Sequence, residues 1–138
     1  MDYVSANLSK DEVLAYLSAL PSILTDLGLA ECKVMYGWDC DLPIDDLWQD
    51  QVLKVTDLPA FVTSSMERGI FKPGASDLFI ESHDGSLSVR ACHESDIHLA
   101  SSSESALIAL AAPIALQHPD FTYKQNDSWQ VRRFSGRA

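Results

Sequence analysis

The alternation of hydrophobic and polar residues is most regular over 77–100, where it predicts a meander of three antiparallel strands. Successive side chains of a strand point to opposite faces of the sheet, so Leu78 and Ile80 lie on one face and Phe79 lies on the other. The Asp84-Gly85 pair is typical of a tight hairpin turn, because a type I′ turn needs positive φ at both central positions. We therefore expect this meander to form the centre of a sheet.

A hairpin centred on Asp84-Gly85 pairs Leu78 with Ala91 and Phe79 with Arg90. The core-like face of the two strands then consists of Leu78, Ile80, Leu87, Val89 and Ala91. The opposite face, the mixed face, consists of Asp77, Phe79, Glu81, Ser88, Arg90 and Cys92. A slip of one residue would exchange the two faces, so the agreement between turn and pattern supports this register.

The third strand of the meander follows a short loop at 94–96. A three-residue loop places His98 opposite Cys92 and adds His98 to the mixed face, beside Phe79 and Arg90. We expect any binding surface to lie on this face. The alternative is a face that is simply covered by solvent or by another element.

A helix is predicted before the first strand. Ser9 and Glu12 form a capping box, in which each side chain accepts a hydrogen bond from the other residue's free backbone N–H. An apolar stripe continues to Gly28, a residue type that commonly ends a helix, and Pro21 predicts a break or kink within it. Residues 32–38 then predict a strand.

The segment after this strand predicts a short helix and an ambiguous stretch. Pro43 suits the first position of a helix. Ile44, Leu47 and Trp48 fit one apolar helical face, and we expect Trp48 to be a core residue. Residues 52–55 fit either the end of a helix or a short strand.

The remaining signals complete an α+β fold. Helices are predicted over 58–68 and over 102–117, the second after a capping box at 101–104. A closing hairpin is predicted from 121–123 and 128–134. We expect one globular domain with a mostly antiparallel sheet of about five strands and with helices packed mainly on one face.

The net charge of −10 restricts the choice of partner. Binding to a phosphate backbone uses Lys and Arg, so we expect no nucleic-acid partner, and a basic protein is favoured instead. The acids concentrate in one run without a basic residue, at Asp39, Asp41, Asp45, Asp46 and Asp50. This run predicts a docking surface, and a solvated loop with a helix start is the plainer interpretation.

Trp38 lies beside this acidic run, and an aromatic residue ringed by acids is a suitable anchor for a protein partner. We therefore expect a non-enzymatic protein-binding module, of the immunity or inhibitor type, that neutralises a basic partner through an acidic surface. The residues that we expect to bind are Trp38, Asp39, Asp41, Asp45, Asp46, Phe79, Arg90 and His98.

A second hypothesis is a small enzyme or metal-binding protein that uses Cys92, His93 and His98. Their segment lacks the zinc-protease spacing, because the two histidines are five residues apart rather than four. Cys92 and His98 could still form a metal site with His83, or act as nucleophile and base. The chain carries no complete catalytic motif, so we expect no catalytic residue, cofactor or metal.

A third hypothesis is a self-associating subunit, such as a homodimer, with Phe79 and Arg90 at the contact. Three cysteines without regular spacing predict reduced thiols and a cytoplasmic location. The N-terminal residues lack the pattern of a signal peptide, and no apolar stretch reaches transmembrane length, so we expect no membrane partner.

Overall fold

The computed structural model describes residues 1–125 and 128–133, and this part of the chain has an α+β fold. Its strands are β1 (Asp2–Val4), β2 (Glu31–Tyr36), β3 (Gln51–Lys54), β4 (Leu78–Glu81), β5 (Leu87–Ala91), β6 (Ile97–Ser101), β7 (Asp120–Gln125) and β8 (Ser128–Arg133). Its α-helices are α1 (Lys10–Asp26), α2 (Leu58–Glu67) and α3 (Glu104–Ala115). None of these helices has both the length and the apolar content to cross a membrane.

These eight strands form one antiparallel sheet in the order β3-β2-β4-β5-β6-β1-β7-β8. The predicted α+β class is confirmed, whereas the predicted number of about five strands is wrong. β1 was not predicted, because three residues are too few to show a periodicity, yet it lies between β6 and β7. The predicted closing hairpin is present as β7 and β8, but its turn residues 126–127 and Phe134 lie outside the described residues.

The register of the first hairpin of the meander is the predicted one, with Phe79 opposite Arg90. Its turn is wider than a two-residue type I′ turn. Of the two central residues only Gly85 has a positive φ, of 72°, and the last backbone bond before the turn runs from the Ser82 N–H to the Leu87 carbonyl oxygen (3.0 Å).

The third strand pairs in a different register from the predicted one. His98 lies opposite Arg90 rather than Cys92. The loop occupies 93–95, one residue earlier than predicted, because the Cys92 N–H donates to the Asp96 carbonyl oxygen (2.9 Å). This change moves the pairing by two residues, so His98 stays on the mixed face.

The hydrophobic core lies between one face of the sheet and the three helices. On the sheet side, alternate residues of the strands are buried, as the period of two requires. They include Tyr3, Cys32, Val34, Tyr36, Leu78, Ile80, Val89, Leu99 and Phe121. The helices contribute Val13, Leu17, Leu20, Leu24, Leu58, Val62, Leu107, Leu110 and Ile114 to the same cluster.

The helix boundaries confirm the predicted capping box of α1, whereas the capping box predicted at 101–104 is wrong. Ser9 and Glu12 exchange both hydrogen bonds of the capping box (3.0 and 3.1 Å), and Pro21 lies inside α1 without ending it. α3 begins later than predicted, because its N-cap is Ser103, whose hydroxyl accepts a hydrogen bond from the Ala106 N–H (3.3 Å).

The helix predicted after Pro43 is wrong. The segment forms a single 3₁₀ turn, Ile44–Asp46, and its apolar side chains are not buried, since Ile44 is 80% exposed and Trp48 is 40% exposed. A φ of 61° at Trp48 interrupts any right-handed helical path. The chain instead enters β3, which pairs with β2 and resolves the ambiguous stretch as a strand.

Asp84 gives the hairpin between β4 and β5 an acid-sensitive contribution to stability. Its Oδ1 accepts hydrogen bonds from the Ser86 N–H (3.0 Å), the Ser86 hydroxyl (2.7 Å) and the Ser82 hydroxyl (2.8 Å). These bonds, the one from the Ser86 N–H above all, lower the pKa of Asp84 from 3.8 to about 2.

Because the pKa of Asp84 in the folded state lies below its unfolded value, its contribution is present above about pH 4 and is lost as the pH falls further. We expect the difference in free energy of unfolding between the wild type and Asp84→Ala to shrink between about pH 5 and about pH 3. Urea unfolding at both pH values measures it, and a difference that is the same at both would contradict the expectation.

Candidate functional site

Three of the predicted binding residues form a continuous contact across the mixed face. The Arg90 guanidinium carbon lies 5.6 Å from the centroid of the Phe79 ring, a cation–π contact. Arg90 Nη2 also lies 3.0 Å from His98 Nδ1, and His98 Nε2 lies 3.0 Å from Asp96 Oδ1. A guanidinium only donates, so His98 Nδ1 accepts and His98 Nε2 carries the proton that it donates to Asp96.

Asp96 ends this chain of contacts as a buried carboxylate, 8% exposed. Burial raises its pKa, but the hydrogen bond from His98 and the nearby positive charge of Arg90 outweigh burial. The pKa of Asp96 therefore lies below its ordinary value. The ionised carboxylate holds His98 in the tautomer that accepts from Arg90.

Two tryptophans stand beside Phe79 and form with it an aromatic surface (Trp38, Trp48 and Phe79). The ring centroids of Trp38 and Trp48 are 5.7 Å apart, and those of Trp48 and Phe79 are 5.8 Å apart. Trp38 is 61% exposed and Trp48 is 40% exposed. The prediction that Trp48 is a core residue is wrong, and Trp48 is a candidate binding residue that the sequence pattern did not indicate.

The backbone beside the aromatic surface has two special features, at Gly37 and at Trp48. A Cβ atom at Gly37 would lie 2.8 Å from the Phe79 ring and 2.9 Å from the Trp48 ring, so only glycine fits there without a shift. Trp48 itself has a φ of 61°, a left-handed conformation that costs an L-residue roughly 1–2 kcal/mol. Its N–H donates to the Tyr36 carbonyl oxygen (2.9 Å). Backbone strain of this kind is concentrated at functional sites.

The two tryptophans belong to the same segment as an acidic loop, residues 39–50, which has five aspartates and no basic residue. Asp39, Asp41, Asp45 and Asp46 are all exposed. Within the described residues none of these four forms an ion pair, whereas Asp50 lies 4.0 Å from Lys33 Nζ. Exposed indole rings therefore lie beside locally uncompensated negative charge.

A second group of side chains, the Asp77 cluster (Asp77, Cys92 and His93), adjoins the Trp38 segment. Asp77 Oδ1 accepts from the His93 N–H (2.6 Å) and lies 2.8 Å from His93 Nδ1, which is 3.9 Å from Cys92 Sγ. Through its backbone, Asp77 donates to the Trp38 carbonyl oxygen (2.8 Å) and accepts from the Gly37 N–H (3.0 Å). One residue thus holds both the aromatic surface and this cluster.

The surroundings of the Asp77 cluster favour the protonated forms of its thiol and its imidazole. Burial is the main cause that raises the pKa of Cys92 to about 11, and the hydrogen bond to Asp77 is the main cause that raises the pKa of His93. A nucleophilic thiol needs a lowered pKa. Both ring nitrogens of His98 are also engaged, so the arrangement does not suit Cys92 and His98 as nucleophile and base.

His83, the third residue of the predicted metal site, lies at the tip of the hairpin between β4 and β5. Its Nε2 is 3.5 Å from Glu31 Oε2, and it does not belong to the Asp77 cluster. The three cysteines are buried with free thiols, as their irregular spacing predicts.

Comparison of the chain with family models, with curated proteins and with solved structures finds no match. A candidate function therefore rests on the geometry of the aromatic surface, the acidic loop and the Asp77 cluster.

Proposed function

We propose that this chain is a non-enzymatic protein-binding module of the immunity or inhibitor type, which binds a basic protein through the aromatic surface and the acidic loop. The observation that carries this proposal is the pair of exposed indoles of Trp38 and Trp48, packed on Phe79 and held by a strained backbone. Tryptophan is enriched among interface hot spots. The strain at Trp48 does not serve core packing, because this side chain is 40% exposed.

The negative charges of the acidic loop favour a partner with a positively charged surface. A basic surface with an apolar or aromatic centre would bury the indole rings and bring its cations against Asp39, Asp41, Asp45 and Asp46. Opposite charges mainly accelerate the encounter, and the apolar contact mainly slows dissociation. A second copy of this chain is a less suitable partner for this surface, because each copy carries a net charge of −10 and like charges repel.

Replacing Asp39, Asp41, Asp45 and Asp46 together by Asn should slow association with the basic partner about tenfold at low salt. It should also flatten the dependence of the association rate on ionic strength, while the dissociation rate changes little. The partner is first captured from a lysate of the native host at low and at high salt and identified by mass spectrometry. Association rates of the purified pair are then measured by stopped-flow fluorescence.

A matched control removes four exposed acids from the helical side of the molecule: Asp11, Asp26, Asp57 and Glu67. Both quadruple variants have the same net charge, so only the position of the lost charge differs, and the control should associate at nearly the wild-type rate. An association rate that is unchanged in the loop variant would refute the proposal. Light scattering tests whether a second copy of the chain binds to this surface instead. A wild-type dimer that becomes a monomer in the Trp38→Ala variant would assign the surface to self-association.

A further inference from the structure

We propose that the Asp77 cluster is a binding site for a divalent transition-metal ion of the zinc type, with Asp77, Cys92 and His93 as its protein ligands. The site does not depend on the protein-binding function. A carboxylate oxygen of Asp77, the Sγ of Cys92 and a ring nitrogen of His93 all lie within 4.8 Å of one another. Thiolate sulfur, imidazole nitrogen and carboxylate oxygen are the donor atoms that Zn²⁺ uses in proteins.

Two of the three distances between ligand atoms are close to those that a tetrahedral ion imposes. With metal–ligand bonds of about 2.0–2.3 Å, neighbouring ligand atoms lie roughly 3.3–3.6 Å apart. His93 Nδ1 is 2.8 Å from Asp77 Oδ1 and 3.9 Å from Cys92 Sγ. These two distances lie within about 0.5 Å of that range, and the ligand atoms of the third pair, Asp77 and Cys92, lie within 4.8 Å of each other.

Asp77 carries a second, independent indication of a ligand. Its side chain is 1% exposed, and within the described residues its Oδ2 is buried without a hydrogen-bond partner. A buried acceptor without a donor costs about 1–3 kcal/mol, and more for a charged group. Among the described side chains, His93 alone forms an ion pair with Asp77. A divalent cation bound by this carboxylate would neutralise the buried charge that His93 only partly offsets.

Binding can be written with its protons balanced. The Cys92 S–H bond breaks, a sulfur–metal bond forms, and the thiol proton passes to solvent, because the thiolate is the metal ligand. His93 binds through Nδ1 as a neutral imidazole with its proton on Nε2. The imidazolium form releases its Nδ1 proton to solvent, and the neutral Nδ1–H tautomer releases that proton and takes one up at Nε2. No atom changes its oxidation state. The His93 side chain is 36% exposed, which gives the ion and the protons a route to solvent.

A neighbouring triad, Cys92, Asp96 and His98, shares the thiol but suits a cation less well. Both ring nitrogens of His98 already have partners, Arg90 Nη2 at 3.0 Å and Asp96 Oδ1 at 3.0 Å. The positive guanidinium next to His98 Nδ1 would repel a metal ion. The ligand set is therefore the one on the Asp77 side of the thiol.

The test is a titration of the full, chelator-treated chain with Co²⁺, whose absorption reports thiolate ligation and tetrahedral geometry, followed by displacement with Zn²⁺. We expect one Co²⁺ ion per chain and a thiolate-to-metal charge-transfer band that Zn²⁺ abolishes. Cys92→Ser and His93→Gln should each weaken Co²⁺ binding at least about tenfold. The matched control Cys32→Ala removes another buried thiol, in β2 and outside the cluster, and should leave Co²⁺ binding unchanged.

Circular dichroism shows whether each variant is still folded. We expect His93→Gln to fold, because this side chain is partly exposed, so weaker Co²⁺ binding by this variant reports the loss of a ligand. The absence of a charge-transfer band at a large excess of Co²⁺ would overturn the proposal. A band that persists unchanged in Cys92→Ser, or a binding affinity that is unchanged in a folded His93→Gln variant, would overturn it as well.

Discussion

Replacing Trp48 by alanine should raise the dissociation constant for the basic partner at least about 30-fold, which corresponds to about 2 kcal/mol, the usual threshold for a hot spot. The Trp48 ring lies between the other two rings of the aromatic surface, 5.7 Å from Trp38 and 5.8 Å from Phe79. Its loss therefore removes its own contact area and the support of Trp38. Isothermal calorimetry measures the affinity, and the change should appear mainly in the dissociation rate.

The sharper variant is Trp48→Gly, which separates binding from stability. The native φ of Trp48 is 61°, and glycine adopts this conformation without strain. Binding should be lost while the free energy of unfolding stays near the wild-type value. Leu116→Ala removes another apolar side chain, 72% exposed at the end of α3, and should leave the affinity unchanged. Equal affinities of the wild type and Trp48→Gly would exclude the aromatic surface from binding.

Replacing Tyr3 by alanine should lower the free energy of unfolding by about 3–5 kcal/mol, the cost of truncating a buried aromatic residue. Tyr3 is fully buried, and its ring lies 5.2 Å from the ring of Tyr123 and 6.5 Å from that of Phe121. It also lies in β1, whose two ladders join β6 to β7. Urea unfolding measures the loss, and hydrogen exchange should show the amides of β7 losing protection first.

The control for Tyr3 is its neighbour Asp2, which is exposed in the same strand. Asp2→Ala should change the free energy of unfolding by no more than about 0.5 kcal/mol. If Tyr3→Ala does not fold, Tyr3→Leu keeps much of the apolar contact and should give a smaller loss with the same pattern of hydrogen exchange. A loss below about 1 kcal/mol for Tyr3→Ala would contradict the expectation that the buried Tyr3 ring stabilises the junction of β6 and β7.

The strand pattern predicts some residues of the candidate site to be neighbours, but it does not predict others. Phe79, Arg90 and His98 were expected on one face, and Arg90 does contact the other two. The period of a strand decides the face, and the hairpin turn places Phe79 opposite Arg90. The partner of His98 was predicted wrongly. A loop that starts one residue earlier exchanges Cys92 for Arg90 opposite His98 without changing the face.

Trp48 shows why an apolar pattern can mislead. Its spacing from Ile44 and Leu47 fits a helical face, and nothing within that segment distinguishes a buried helix from a 3₁₀ turn with exposed rings. The outcome depends on a distant partner, since the Trp48 ring packs on Phe79 in β4 and its N–H bonds to the Tyr36 carbonyl oxygen. Tertiary contacts override local propensity here.

The amino-acid sequence alone specifies the local features of this protein. The capping box of α1, the register of the first hairpin and the face on which Arg90 lies all follow from residues close together in the chain, where backbone sterics and hydrogen bonding admit few alternatives. Long-range packing supplies the rest. The insertion of β1 into the sheet and the meeting of Asp77 with His93 join distant segments, and such contacts are set by how the whole core packs rather than by any local period.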